Sequence, residues 1–233
     1  MTTQQRFAMS FTEETFKFLT QLKKNNNRNW FEKNKHRYEE RVREPAFRFI
    51  EEVAPLLKKL TPHFLAVAKK MGGSLMRVYR DTRFSKDKTP YKTNIGIQFR
   101  HEFGKDVHAP GYYLHIAPDE CFLGLGIWHP ESEALKKIRK HIADEGDAWK
   151  KIVNAKGFRE QFALAGESLK KAPLGIDKDH PLIVDLRRKD FIGVTSLSPE
   201  EITRKDFAKG MIAQFKKGSR FMQFLCDALR VPF

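Results

Sequence analysis

The chain has 233 residues, and its 44 basic and 29 acidic side chains give it a formal net charge of +15, a balance that favours polyanionic partners. Two distant cysteines, Cys121 and Cys226, exclude a disulfide framework, and the longest apolar run, CFLGLGIW, is too short to span a bilayer. The first residues, MTTQQRFAMSF, lack the apolar core of a signal peptide, so we expect a cytoplasmic protein with no membrane partner.

Apolar residues recur at helical intervals in the first part of the chain, and residues 10–70 are predicted to be helical. Phe16, Leu19 and Leu22 mark the first apolar stripe. The run KKNNNRN breaks this pattern, and Asn29 is predicted to cap the helix that follows, WFEKNKHRYEERVRE.

The apolar period changes to two from Ser74, and residues 74–128 are predicted to form the main sheet, with HEFGKDVHAPG as a loop. Antiparallel sheets often bury one face only. The predicted buried face carries aliphatic and aromatic side chains: Met76, Val78, Ile95, Ile97, Phe99, Leu114, Ile116, Leu123, Leu125 and Ile127. The opposite face carries polar residues, large rings and glycines: Arg77, Tyr79, Asn94, Gln98, Tyr113, His115, Gly124, Gly126 and Trp128. That second face either binds a ligand in the room left by the glycines or is covered by helices.

Helical patterns resume over residues 130–156, and residues 157–197 are predicted to hold a strand or loop segment. C-terminal helices are predicted over residues 199–230, the last of them long. Helices followed by antiparallel strands and further helices predict a single α+β domain, residues 1–233, in which the sheet packs against N-terminal, central and C-terminal helices.

The segment RVYRDTRFSKDKTPYK, residues 77–92, joins two predicted strands and is called the basic segment below. Between Lys69 and Lys92 there are eight cations and two acids, a net charge of +6. Arginine offers a planar fork of donors for phosphate or carboxylate, and a bound anion would relieve the repulsion among these side chains. The residues predicted to bind such a ligand are Arg77, Tyr79, Arg80, Arg83, Lys86, Lys88, Tyr91, Lys92, Tyr113 and Trp128.

Two short patterns stand out within the basic segment: Arg77-x-x-Arg80-Asp81-x-Arg83-Phe84 and Asp87-Lys88-x-x-Tyr91. Together they resemble the signature of a bacterial family of conserved hypothetical proteins, domain of unknown function 2461. The segments NRNWFEKNKHRYEE and HPLIVDLRRKDFIGV resemble other parts of that family, so the similarity extends over almost the whole chain. The resemblance implies a single-domain bacterial protein of about this length and implies no particular reaction.

Three interpretations of the basic segment remain open. The first is a binding module for a phosphate-rich ligand, either nucleic acid or a nucleotide, because aromatic rings beside cations hold single strands without reading their sequence. The second is an enzyme that acts on a small phosphorylated or carboxylated substrate, with Asp81, Asp87, His115 and Tyr91 as candidate catalytic groups. A third interpretation is structural, with Arg77, Asp81 and Arg83 as a buried ion network.

Sequence motifs for cofactors and metals are not apparent. The chain has no GxSxG, no P-loop and no GxGxxG after a strand, so no cofactor is expected. Its eight histidines include no HxxxH or HxH pair, so no metal site is predicted. The expected partner is therefore a nucleic acid or a small phosphorylated anion, and the sequence leaves the oligomeric state open.

Overall fold

The computed structural model of this chain describes residues 10–104 and 110–233. Residues 1–9, and residues 105–109 of the predicted loop HEFGKDVHAPG, lie outside the described residues.

Helices and antiparallel strands together confirm the predicted α+β class. The helices are α1 (Glu13–Lys24), α2 (Arg28–Lys33), α3 (Lys35–Tyr38), α4 (Glu44–Leu60), α5 (Ser132–Asp144), α6 (Gly146–Val153), α7 (Lys156–Arg159), α8 (Ile183–Leu186), α9 (Pro199–Ile202), α10 (Phe207–Lys217) and α11 (Ser219–Leu229), with a π-helical turn, Glu39–Arg43, before α4. The strands are β1 (Phe64–Leu65), β2 (Ile95–His101), β3 (Gly111–Ile116), β4 (Cys121–Ile127), β5 (Ala163–Ala165) and β6 (Phe191–Ser196).

The strands form one sheet in the order β1-β2-β3-β4-β6-β5, and every neighbouring pair is antiparallel. Strands β3 and β4 form a hairpin, with Ile116 of β3 opposite Cys121 of β4. Strand β6 adds to β4 from a distant part of the chain, with Ile127 opposite Phe191. Ile95 and Ile127 lie at opposite ends of the strands. Ile95 is level with Ile116 and Cys121, where β4 begins, whereas β4 ends at Ile127.

One face of the sheet is buried under helices, as the alternation predicts. Its side chains are 2% exposed or less at Ile95, Ile97, Phe99, Leu114, Ile116, Leu123, Leu125 and Ile127. Helix α10 packs on this face, where the Phe215 ring lies 4.6 Å from the Tyr112 ring of β3. Burial of each such side chain contributes about 1.5–3 kcal/mol of transfer free energy, so this face anchors the core.

Three predictions about elements are wrong, each for a local reason. The first helical region ends at Leu60 and not at residue 70, because Pro62 forces Thr61 into an extended conformation. The predicted long final helix is two helices, α10 and α11, which meet at Gly218. A side chain on Gly218 would collide with Leu125, so the break lets both helices approach the sheet. Asn27 rather than Asn29 caps α2, because its side chain accepts the N–H of Trp30 at 2.9 Å.

Candidate functional site

The basic segment folds back on itself as a short hairpin at the edge of the sheet. The N–H of Arg80 donates to the Pro90 carbonyl at 2.9 Å, and the N–H of Lys92 donates to the Val78 carbonyl at 2.7 Å. Tyr79 therefore stands directly opposite Tyr91. Opposite residues of an antiparallel pair project to the same side, so both tyrosine rings occupy one side of the hairpin.

Asn26 attaches this hairpin to the corner between α1 and α2. Its side-chain amide donates to the Tyr91 carbonyl at 2.9 Å, and its Oδ1 accepts the N–H of Tyr91 at 3.1 Å. One amide side chain thus satisfies both backbone groups of Tyr91, as a neighbouring strand would.

A cluster of aromatic rings fills the space between the hairpin and α2. Tyr91 is 2% exposed and stacks on Phe31 with the ring centroids 4.0 Å apart. Phe31 also contacts Tyr38 at 5.3 Å. Tyr79 lies 5.5 Å from Tyr91 and is 48% exposed, so it is the outermost ring of the cluster and presents part of its surface to solvent.

An open cleft of about 950 Å³ lies between the basic segment and the α1–α2 corner. The predicted binding residues that line this cleft are Tyr79, Arg80, Lys88 and Tyr91. The other predicted binding residues do not line it: Arg77, Arg83, Lys86, Lys92, Tyr113 and Trp128.

The second wall of the cleft consists of residues that sequence reasoning missed: Asn26, Asn27, Arg28 and Glu32. They lie 45 to 51 positions before Arg77, the first residue of the basic segment, and no local pattern connects the two regions. The one signal that included most of them was the segment NRNWFEKNKHRYEE, which resembles the family and contains Asn27, Arg28 and Glu32.

The two acids of the basic segment are each paired with an arginine. Arg80 donates to Asp87 and to the Thr89 hydroxyl. Arg83 forms a two-point ion pair with Asp81, with Nε–Oδ1 and Nη2–Oδ2 distances of 3.0 and 2.7 Å. Because the Arg83 and Asp81 side chains are 76% and 42% exposed, the predicted buried network is wrong. Exposed pairs of this kind contribute little to stability.

These pairs also determine the chemistry of the two carboxylates. Hydrogen bonds from Arg83 hold the pKa of Asp81 well below its usual range. The Thr89 N–H, followed by Arg80, lowers the pKa of Asp87 to about 2. Both carboxylates therefore stay charged at neutral pH and are poor proton acceptors there, so neither suits the predicted role of general base.

Several cations of the basic segment have no acidic partner. Within the part of the chain that the structure describes, no carboxylate forms an ion pair with Arg77, Lys86, Lys88 or Lys92. Lys88 donates instead to the carbonyl of Thr82 at 2.8 Å. Burial, and then the nearby charge of Arg77, lower the pKa of Lys92.

Phe84 lies in the loop of the hairpin and is 95% exposed. The guanidinium of Arg83 lies 5.8 Å from its ring centroid, and Lys86 is exposed close to it in the chain. A fully solvated phenylalanine among cations is an exposed apolar group available for contact with a ligand.

Tyr113 and His115 lie on the sheet face and not in the cleft. The Tyr113 hydroxyl is 3.3 Å from His115 Nδ1, and the His115 ring stacks on Phe122 at 4.7 Å. Burial raises the pKa of Tyr113 to about 12 and lowers the pKa of His115. His115 therefore does not join Asp87 and Tyr91, and the candidate catalytic groups are not brought together.

Met76 corrects the predicted assignment of faces. It was assigned to the aliphatic face, but its Sδ lies 3.1 Å from the position that a Cβ on Gly96 would occupy, beside the Tyr113 hydroxyl. The N–H of Met76 donates to the Gly96 carbonyl at 2.9 Å, so the residue sits opposite Gly96 and shares its face.

Trp128 lies at the other end of the sheet from the basic segment. It follows Ile127, which pairs with Phe191, whereas the basic segment leads into Ile95. Gly126, two residues earlier, has a φ of +118°, and a side chain there would collide with the Phe191 carbonyl. This glycine therefore permits the close approach of β6 and does not make room for a ligand.

The described residues contain neither a metal-binding cluster nor a membrane-spanning helix. Within residues 10–104 and 110–233, no group of three or more His, Cys, Asp or Glu side chains could hold a metal ion. No helix in the same residues is both long enough and apolar enough to cross a membrane.

Comparison with known proteins bears on the family alone. No curated protein matches the chain. A family model described as a conserved hypothetical protein, DUF2461, matches residues 14–224, which include both walls of the cleft and confirm the resemblance seen in the basic segment. The chain therefore belongs to the DUF2461 family of conserved hypothetical proteins.

Proposed function

We propose that the protein binds a phosphate-rich anionic ligand through the basic segment, and that single-stranded nucleic acid is the class that fits best. The observation that carries this proposal is the exposure of two aromatic rings, Tyr79 and Phe84, on a hairpin that also carries four cations with no carboxylate partner among the described residues. Single strands are held in this way, because every base has a face that stacks on an aromatic ring while cations follow the phosphates.

The charges support a partner with several phosphates. Asp81 and Asp87 already neutralise Arg83 and Arg80 in part, so the remaining excess comes from the lysines and Arg77. Of these side chains Lys88 lines the cleft and Arg77, Lys86 and Lys92 do not, a distribution that suits a chain of phosphates better than a single one.

A small phosphorylated or carboxylated ligand is the second candidate. The cleft favours it, because about 950 Å³ is ample for a small molecule and its lining includes cations, a carboxylate and the Tyr91 side chain. A proton-transfer reaction in this cleft has less support, because Asp87 is held as a charged carboxylate and His115 lies elsewhere.

The proposal is tested by fluorescence anisotropy with labelled single-stranded RNA, single-stranded DNA and duplex at 50 and 200 mM salt. We expect single strands to bind the wild-type protein, with an affinity that falls steeply as salt increases. The double variant Arg83→Ala/Lys86→Ala should make the logarithmic salt dependence less steep by up to about 1.4, because each phosphate contact to a single strand contributes about 0.7.

Phe84→Ala separates stacking from charge in the same assay. It should weaken single-strand binding by about 1–3 kcal/mol without a change in the salt slope, since a stacked ring carries no charge. The matched control is Lys170→Ala/Lys171→Ala, which removes two exposed cations near the opposite edge of the sheet. Absence of binding at 50 mM salt, or an equal loss in the control, would contradict the proposal.

A further inference from the structure

We propose that the cleft beside the basic segment is a pocket for one nucleobase and its phosphate, and that it prefers guanine. This inference rests on the proposed function and deepens it, because it assigns part of the ligand to a defined site. The site combines a ring that forms a platform, a carboxylate in the cleft, and two cations on its opposite walls.

Tyr79 provides the platform on which a base would stack. Its ring is supported from behind by Tyr91 at 5.5 Å and by Phe31 at 6.5 Å, and these two rings are themselves buried. About half of Tyr79 remains exposed and lines the cleft. A ring that is held rigidly on one side and open on the other offers stacking at little cost in side-chain entropy.

Most polar groups in the cleft are already engaged within the protein. Both polar side-chain atoms of Asn26, Nδ2 and Oδ1, are hydrogen-bonded to the backbone of Tyr91. The side chain of Asn27 accepts the N–H of Trp30. Arg80 is held by Asp87 and Thr89. These residues shape the cleft, and their hydrogen bonds would have to be broken before they could recognise a ligand.

Glu32 is an acceptor in the cleft that remains available. Its ion partner is the exposed Lys35 of α3, at 3.8 Å, a contact too long for a strong hydrogen bond. Glu32 lines the same cleft as Tyr79 and Tyr91, and it directly follows Phe31, whose ring contacts both tyrosine rings. The carboxylate and the stacking ring are thus neighbours of the same buried side chain.

A carboxylate beside a stacked base discriminates between base edges. Guanine presents N1–H and the N2 amino group side by side, so it can donate two parallel hydrogen bonds to the carboxylate of Glu32. Uracil presents one N–H between two carbonyl oxygens, which would face the carboxylate and be repelled. The expected order is therefore guanine above uracil, and the base edge is read as proteins read unstacked bases in RNA.

Arg28 and Lys88 complete the pocket from opposite walls. Both side chains are exposed and line the cleft. The charge of Arg28 partly offsets the effects that raise the pKa of the Tyr91 phenol. A phosphate attached to a base stacked on Tyr79 would meet these two cations. Long flexible cations suit this role, because they adjust to a phosphate without a fixed geometry.

The inference is tested by isothermal titration calorimetry with GMP, AMP, CMP, UMP and ribose 5-phosphate. We expect GMP to bind more tightly than UMP by about 5- to 150-fold, the range for one bidentate contact to a base edge. Glu32→Gln should remove this difference and leave the affinity for ribose 5-phosphate unchanged. Glu51→Gln, which changes an exposed glutamate of α4, is the matched control and should retain the wild-type preference.

Tyr79→Leu gives an independent readout should Glu32→Gln fail to fold. It should weaken binding of all four nucleotides and spare ribose 5-phosphate, which has no base. Equal affinities for GMP and UMP, or a preference that survives Glu32→Gln, would overturn the inference.

The two proposals fail in different ways. Oligonucleotides that bind with a salt-dependent affinity, together with nucleotides that show no base preference, would refute the pocket and keep the proposed function. Nucleotides that bind with the predicted preference, together with oligonucleotides that do not bind, would support the pocket and limit the ligand to a small nucleotide.

Discussion

Asn26 shows how one side chain can determine the geometry of a site. The hairpin lies at the edge of the sheet, and the backbone of Tyr91 has the Asn26 amide in place of a strand on its outer side. The same contact holds Tyr91 against Phe31, so it fixes both the floor of the cleft and the ring behind Tyr79. Nothing in the sequence distinguishes Asn26 from Asn25 or Asn27, because the partner lies 65 residues away.

Asn26→Ala should lower the free energy of unfolding by about 1–3 kcal/mol, because it leaves a partly buried N–H and carbonyl of Tyr91 without partners. Urea denaturation followed by circular dichroism measures the change. Asn25→Ala is the matched control, since the Asn25 side chain makes an exposed bond to Gln21, and its effect should stay within about 0.5 kcal/mol. Equal losses in the two variants would show that the Asn26 contact does not support the fold.

Strand β4 shows what an alternating pattern can and cannot predict. Alternation correctly placed Leu123, Leu125 and Ile127 on the buried face, because the side-chain period of a strand is two whatever surrounds it. It did not distinguish the two glycines on the other face. A side chain on Gly124 would make only an ordinary contact, whereas Gly126 is surrounded by the backbone of β6. That difference depends on a strand from another part of the chain, which no local pattern contains.

Gly126→Ala should destabilise the protein by at least about 2 kcal/mol, because it combines a positive φ with a collision against the Phe191 carbonyl. Gly124→Ala lies on the same strand and face and has Tyr113 Cβ as its nearest neighbour at 3.8 Å, an ordinary contact. It should be tolerated within about 0.5 kcal/mol. Thermal and urea unfolding of the pair measure this, and similar effects of both substitutions would be inconsistent with the close approach of β6.

At the scale of the whole molecule, one hydrophobic core connects the sheet and the helices. It runs without a break from Phe11 and Phe49 through the buried sheet face to Trp149 and Phe221. The α+β class was predictable from the order of helical and alternating patterns, since those patterns follow from burial alone. The cleft was predictable only on one side, because Arg28 and Glu32 reach the basic segment through packing between distant parts of the chain.

A continuous core predicts one cooperative unfolding transition for the chain, as expected of a single domain. Differential scanning calorimetry should give one peak whose calorimetric and van't Hoff enthalpies agree. The fluorescence of Trp149, which is fully buried, should change together with the far-ultraviolet circular dichroism. Two separate transitions would show that the helical and sheet regions unfold as independent domains.

The hairpin is fixed at its base, and this limits which of its residues are needed for the fold. Backbone pairing and the Asn26 amide fix residues 78–80 and 90–92, while Asp81 to Thr89 form an excursion whose ion pairs lie on the surface. Substitutions in the excursion can therefore alter its charge and its contacts with a ligand without disturbing the scaffold. Five of its nine positions, Asp81, Arg83, Phe84, Asp87 and Lys88, belong to the family signature, so the signature is expected to record a requirement of ligand binding more than one of folding.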